Sequence, residues 1–571
     1  MTQYKWVYKQ NDKSLIKNLA SKLNINHIFS TILINRGIFK PSDFEEYILA
    51  KLSYMLDPAL FQGLEKASER ISKAIIKKEK IAIYGDYDVD GVTSIVLLYE
   101  FFIKLDTRVI YYVPSRFNEG YGFKEAGLRK LKKENVDVII TVDCGITSIK
   151  EAKLAKELGI DLIITDHHEV TETLPEAYAI IDPKQKDCEF PYKDIAGVGV
   201  AFYLATGVRA SLRDKGYFNN KIEPNMKEYL DLVALGTVAD IAPITNLNRI
   251  FVKNGLLMLT NSQRPGVNAL KEVSGLSAKK IDYYSIAFML APRLNASGRI
   301  SSAEDSINIL LSADYEASLE KAKILDAHNR KRQAIEKEIF NEISNYIDKS
   351  AYLKDRKSIV LGNGGWHEGV LGIVASKLVE KYYVPTILMS FDGDKGKGSG
   401  RSIKNFHILE AISLNSNFLQ GFGGHKYAAG ISLLKKSYED FSLSFDRTVK
   451  DLTTADDFIQ RLEIDVDVDA TEIDYQLVIN IEKMEPFGPS NLEPILSSQV
   501  QVENIREVGD NHLKIVVTKN KKRFNGIAFN MFRKHSDLEK GDFIKIAFSP
   551  RIDTYGGFES ISLKIKDIKK N

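Results

Sequence analysis

The chain has 571 residues, enough for roughly three or four domains of about 150 residues each, which excludes a single small binding module. Lys plus Arg number 79 and Asp plus Glu 76, a formal charge of +3, and 44% hydrophobic residues supply ample core, so disorder is excluded as the dominant state. Apolar runs stay short of the about 18 residues a membrane span requires, the opening MTQYKWVYKQNDK is polar, and Cys144 and Cys188 are the only thiols, so the expectation is a soluble cytoplasmic protein whose metals are held by oxygen and imidazole.

Residues 1–60 read as a helical arm: Leu15, Leu19, Leu23, Ile28, Ile32 and Leu33 follow a helical spacing, and GIFKPSDFEEYI predicts a turn followed by a Ser-capped helix. Across 61–312 short Ile/Val runs (IAIYG at 81, VIYYV at 109, VDVIITV at 136, IDLIIT at 160) alternate with helical stretches, the pattern of a parallel sheet with crossover helices and an expected catalytic domain. The stretch 313–350 contains neither Gly nor Pro and predicts one long connecting helix. A second α/β domain is expected over 351–455, from the strand SIVLGNGGW, the helix EGVLGIVASKLVEKY and a Gly-dense region. From 456 to 571 short strands separated by polar turns predict a small antiparallel barrel, an OB-fold. Residues 501–571 carry 15 basic and 9 acidic side chains, a net of +6 that suits a phosphate backbone or, equally, a solvated surface.

The first sheet run ends in GDYDVDG. Asp86, Asp88 and Asp90 repel one another, and a cation is the usual remedy. An EF-hand loop is excluded, because the twelfth residue from Asp86 is Leu97 and not Glu. The third run ends in Asp143 and the fourth in Asp166, His167 and His168, so three strands deliver carboxylate or imidazole at their carboxyl ends, where open α/β sheets bind ligands. Adjacent histidines at a strand end point to different sides, so one can ligate a metal while the other faces a substrate. VALGTVADIAP adds Asp240. Asp and His without Cys suit Mn²⁺ or Mg²⁺, and the number of oxygens suits two ions, as in a two-metal hydrolase. Three Gly-rich segments read as anion-suited turns: GSGRS, where Gly398 and Gly400 would let backbone amides approach an anion beside Ser399, Arg401 and Ser402; GFGGHKYAAG with His425; and APRLNASGR with Arg293, Asn295 and Arg299. Arg116, Trp366 and His367 are further candidates, Trp366 being equally readable as core.

GDYDVDG, TVDCG, TDHH and ALGTVAD, in this order, resemble the four motifs of the DHH phosphoesterase superfamily. RFNEGYG, AGVGVAF, APRLNASGR, GGWHEGVLGIVASKL, GSGRS, GFGGHKYAAG and the terminal barrel resemble its RecJ branch of single-strand exonucleases. The resemblance implies metal ligation by Asp88, Asp90, Asp143, His167 and Asp240, with Asp86 and His168 in the immediate shell and Asp166 and His168 as catalytic residues, His168 on the scissile phosphate. Many superfamily members carry a His where this chain has Tyr84, which either removes one ligand or gives Asp86 that duty. It further implies a metal-dependent 5′ to 3′ exonuclease that releases 5′-mononucleotides from single-stranded DNA in repair and recombination. Arg116, Ser399 and Arg401 would then form a terminal-phosphate pocket beside the metals, and a helicase and a single-strand-binding protein would be partners of a monomeric enzyme. Two rival readings are a small-substrate phosphodiesterase of the same superfamily, which needs neither barrel nor arm, and an inactive binding subunit, which would not need the full set of acidic residues.

Overall fold

The computed structural model describes residues 4–115, 119–120, 122–300, 302–554 and 558–570, with backbone alone for 299 and 300. Two compact units emerge, one of Lys40–Asn329 with Lys483–Glu493, the other of Met1–Phe39, Arg330–Glu482 and Pro494–Asn571.

The first unit is built on a five-stranded parallel sheet in the order Val109–Tyr112, Ile81–Gly85, Val138–Val142, Asp161–Thr165, Ala179–Ile181. Its central strands read as unbroken Ile/Val because helices cover both faces and every residue of IAIYG and VIITV is buried. The last strand, Ala179–Ile181, has only three residues and gave no run to read. In chain order the sheet is 2-1-3-4-5, so the winding reverses between Ile81–Gly85 and Val138–Val142, and the crevice at their carboxyl ends is the ligand position of this topology. Two helices, Val89–Lys104 and Leu230–Ala239, lie in the same core; the second is buried at nine of its ten positions and is apolar except at Thr237 and at Asp231, which pairs with Arg264.

APRLNASGR is not a turn. It forms the helix Ala291–Ile300, entered directly from a π-helix over Ser285–Leu290. The helix Tyr315–Ser350 runs 36 residues without a break.

In the second unit one sheet has the order Leu419–Gly424, Ala428–Leu434, Lys395–Arg401, Thr386–Asp392, Ile359–Asn363. GSGRS is likewise not a turn: it ends the strand Lys395–Arg401, which pairs on both sides, so the amides of Gly398 and Gly400 serve the sheet rather than an anion. The terminal barrel closes through pairing of Leu496–Val508 with both His512–Lys519 and Phe543–Asp553, as an OB-fold requires. The strand Lys5–Tyr8 pairs in parallel with Arg461–Ile464. The helix Pro41–Leu49, in the first unit, is capped by Lys40 with Pro at its first turn, not by Ser42. Among the described residues no helix is long and apolar enough to cross a membrane.

Candidate functional site

The acidic and imidazole side chains converge at the reversal point of the first sheet. Asp86 follows the strand Ile81–Gly85, and Asp88 caps the next helix by accepting the amides of Asp90 (2.9 Å) and Gly91 (3.1 Å). Asp90, in the first turn of that helix, accepts the backbone N–H groups of Gly197 (2.7 Å) and Val198 (2.9 Å), which open the helix Gly197–Asp214. Asp143 ends its strand with φ of +58°, a left-handed conformation that Asp tolerates better than most residues. Asp240 is the C-cap of Leu230–Ala239, where the helix's own carbonyls make a carboxylate unfavourable without a nearby cation.

His167 lies among these carboxylates. Its Nε2 lies 3.0 Å from Asp143 Oδ1 and 3.8 Å from Asp90 Oδ2, and its Nδ1 lies 4.0 Å from Asp240 Oδ2. Three overlapping sets of ligand atoms fall within 4.8 Å of one another: Asp90, His167 and Asp240; Asp86, Asp88 and Asp143; and Asp143, His167 and His168. Asp143 belongs to two of the sets and touches the third through His167, whose Nε2 lies 3.0 Å from its Oδ1. Tyr84 is absent from all three. Its ring packs in the core edge-on to Phe123 and beside Tyr112, and its hydroxyl donates to the carbonyl of Gly122, so the position supplies no ligand.

The electrostatics show what the cluster costs without a cation. Burial, then the neighbouring Asp88, pushes the Asp90 carboxyl up to about 7, although two amides favour its charged form. Burial and the surrounding carboxylates hold Asp143 and Asp240 well above the ordinary range. Burial and the charge of His168 push His167 down to about 3, leaving it neutral and able to ligate. For His168 burial works against the charged form, but Asp166 overcomes it and raises the imidazole to about 9. Asp166 is itself held low despite burial, by His168 (Nδ1 to Oδ1, 2.6 Å) and by the amide of Ile146 at 2.9 Å. Two adjacent histidines thus take opposite roles: one neutral among carboxylates, the other an imidazolium fixed by its own aspartate. A buried set of oxygens with one neutral imidazole and no thiolate fits hard divalent ions such as Mn²⁺ or Mg²⁺.

Of the remaining predicted residues in this unit, Arg293 donates to Asp326 (2.9 Å) and to the carbonyl of Met289 (2.6 Å), which gives it a structural task. Asn295 accepts the amide of Val89 (3.2 Å) and so ties its helix to the first acidic loop. Arg116 and the side chain of Arg299 lie outside the described residues.

In the second unit Arg401 donates to Ser399 Oγ (3.1 Å) and the Gly400 carbonyl (2.8 Å). Burial alone pushes its guanidinium down, and among the described residues no carboxylate pairs with it. A Cβ at Gly372 would sit 2.7 Å from its Nη2 and 2.9 Å from Ser399 Oγ, so glycine keeps open a cradle suited to an anion. Ser402 donates to the carbonyl of Phe406, His367 accepts the amide of Gly369 (3.1 Å), and His425 is exposed at the hairpin. Trp366 is core, its indole N–H held by Glu342 at 3.0 Å.

Family models match three consecutive segments: the DHH family N-terminal domain over residues 80–237, the DHHA1 domain over 355–451 and the RecJ OB domain over 464–567. The single-stranded-DNA-specific exonuclease RecJ of Bacillus subtilis (strain 168) is 35% identical over 571 residues, covering 99% of this chain and 71% of the relative. RecJ of Salmonella typhimurium is 34% identical over 551 residues, 94% of both chains. The chain belongs to the RecJ family. The crystal structure of RecJ in complex with Mn²⁺ from Thermus thermophilus superposes with a TM-score of 0.83 at 25% identity, covering 100% of this chain and 80% of that one.

Within this RecJ family member the sequence reading missed the residues that aim the ligands. A Cβ on Gly197 would meet Asp143 Oδ1 at 2.8 Å, and one on Gly236 would meet Thr93 Oγ1 at 2.4 Å and Asp90 Oδ1 at 2.7 Å, so both glycines let a helix backbone lie against a carboxylate. AGVGVAF and ALGTVAD contain them, but nothing in the sequence says which glycine touches an aspartate. Asp182, fully buried after the short strand Ala179–Ile181, was also missed; burial raises it to about 7.

Proposed function

We propose that the chain is a metal-dependent exonuclease that hydrolyses single-stranded DNA from its 5′ end to 5′-mononucleotides. The observation that carries this is the carboxylate and imidazole cluster at the sheet's reversal point, in a chain whose relatives along its whole length are named single-stranded-DNA-specific exonucleases. Asp88, Asp90, Asp143, His167 and Asp240 would hold the metal ions, with Asp86 beside them. Bound divalent ions lower the pKa of water and neutralise charge on phosphate oxygens. Asp166 fixes His168 through Nδ1, so the imidazolium presents Nε2 to the scissile phosphate and stabilises charge gathering there. Water attacks phosphorus and the P–O3′ bond breaks, releasing the terminal mononucleotide and leaving a new 5′-phosphate on the shortened strand. Arg401 and Ser399, in the cradle kept open by Gly372, are the residues we assign to that terminal phosphate, with Arg116 as a third. The basic barrel would follow the strand backbone. We place the enzyme in the cytoplasm, as a monomer in DNA repair and recombination, with a helicase and a single-strand-binding protein as partners.

The test is a panel of long single-stranded DNA, a dinucleotide and a cyclic dinucleotide, each with Mn²⁺ or with chelator. Mononucleotides from the long strand with Mn²⁺ alone support the reading. Preferred hydrolysis of either small substrate would replace it with a small-substrate phosphodiesterase, and no hydrolysis at all would leave a binding subunit.

A further inference from the structure

We infer that the exposed rings of Tyr284 and Phe288 form a stacking platform for unpaired nucleobases of the substrate strand, an inference that rests on the exonuclease reading above. The rings are stacked on each other, centroids 4.7 Å apart at 29°, and each residue is 60% exposed. Exposure is not a property of the whole element: Ser285, Ile286 and Leu290 on the same π-helix are buried, and Ser285 is pinned through its amide to Asp282 (2.8 Å). The hydrogen bond donated by the amide of Ala291 to the carbonyl of Ile286, five residues back, widens the turn, an irregularity that often marks functional sites. The inner face is thus anchored in the core while the outer face presents aromatic surface to solvent.

Three observations select the occupant. The π-helix runs directly into Ala291–Ile300, whose Asn295 holds the amide of Val89 at the start of the metal-site helix. Phe288 precedes Asn295 by seven residues, roughly 10 Å of helical rise, so the platform is continuous with the element that braces the catalytic loop. The area is small: an aromatic side chain offers about 150–250 Å², so two rings at this exposure offer on the order of 250 Å². That is well below the about 800 Å² per partner of a stable protein interface but matches one or two bases. Finally, the flanking Lys279 and Lys280 are exposed, Lys280 standing 4.0 Å from Glu485, and this suits a strand whose bases stack while its phosphates remain in solvent.

The experiment uses the full-length chain with chelator present, so that strands are bound and not cut, and single-stranded oligonucleotides carrying 2-aminopurine at successive positions. Wild type, Phe288→Leu, Tyr284→Leu and Phe288→Trp are compared, each first shown by calorimetry to bind Mn²⁺ as a folding control. Stacking on one ring corresponds to roughly fivefold to a hundredfold in affinity. Each Leu variant is expected to lose at least fivefold, to lose the fluorescence quenching at one strand position, and to keep the salt slope, since no phosphate contact is removed. Phe288→Trp is expected to restore affinity and quenching. Affinity within twofold of wild type with quenching intact in both Leu variants overturns the inference, as does an equal effect of Leu and Trp, which would mark a shape-tolerant apolar contact such as a protein partner makes. Failure of wild type to hydrolyse long single-stranded DNA when Mn²⁺ replaces the chelator would overturn the exonuclease reading itself, an outcome distinct from both.

Discussion

Gly236→Ala adds one methyl group and changes no charge, yet it should disable the site. The new Cβ would lie 2.7 Å from Asp90 Oδ1, 2.4 Å from Thr93 Oγ1 and 2.8 Å from Val198 Cγ1. Ordinary contact begins near about 3.5 Å, so the carboxylate has to retreat by roughly 0.8 Å. It cannot do so and keep its hydrogen bonds to the amides of Gly197 and Val198, both shorter than 3 Å. Ala in a helix interior gains about 1 kcal/mol over Gly, and overpacking costs about 1–3 kcal/mol, so net stability should fall by no more than about 2 kcal/mol. Function should fall much further: displacing a group that orients a metal typically costs about 10–100-fold in metal affinity, and a shift near 1 Å about 10²-fold in rate. Calorimetric Mn²⁺ titration, single-strand hydrolysis and urea unfolding of the same preparation separate the two effects. If the clash acts through Asp90, then Asp90→Ala and Asp90→Ala/Gly236→Ala should bind Mn²⁺ alike, a non-additivity expected only of residues in contact. Wild-type metal affinity and turnover within twofold in Gly236→Ala would refute the reasoning.

Asp182→Asn should stabilise the protein at pH 8 and leave it nearly unchanged at pH 4. The folded carboxyl, raised to about 7, holds a proton that the unfolded chain releases near pH 4, so wild-type stability falls as pH rises through that window; an amide removes up to about 4 kcal/mol of this loss and still accepts the Lys184 amide, and equal urea midpoints at pH 8 would contradict it. Ile241, at φ +60° and 68% exposed, is strained as a β-branched residue in the left-handed region, so Ile241→Gly should raise stability by about 1 kcal/mol, and a lowered midpoint would count against the strain. Arg401→Ala should narrow the preference for 5′-phosphorylated over 5′-hydroxyl strands in initial rates, and an unchanged ratio would remove the residue from the terminal pocket. Lys514→Gln, at an exposed position of the strand His512–Lys519, and Lys521→Gln, in the exposed turn after it, should each reduce the slope of log affinity against log salt by about 0.7, and an unaltered slope would make those charges a solvated face.

The carboxylate and imidazole cluster was legible because strands buried on both faces become unbroken Ile/Val runs, and a carboxylate ending such a run stands out. Asp86, Asp143 and Asp166 are all of this kind. The 36-residue helix was legible for the opposite reason, a long stretch without Gly or Pro. Local composition misled where tertiary context overrode it. GSGRS lacks any β-branched residue, yet two neighbouring strands hold it extended. APRLNASGR contains Pro292 and Gly298, yet it is helical, with Pro292 just past the π-helix, where the wider turn accommodates its missing N–H. The strand Lys5–Tyr8 has its partner more than 450 residues away, and no local pattern encodes such a pairing. The opposed protonation of His167 and His168 is equally invisible in TDHH, because it depends on Asp166 turning back to one ring while burial and the charge of that ring hold the other neutral.

The central claim is that Asp143 stands between two groups of ligands for divalent ions. An anomalous difference map at the manganese edge, from crystals of the full-length chain grown with Mn²⁺, measures this directly. The account predicts a peak among Asp90, His167 and Asp240 and a second among Asp86, Asp88 and Asp143, with Asp143 within coordination distance of manganese. Manganese bound elsewhere, with no peak in contact with Asp143, would contradict it.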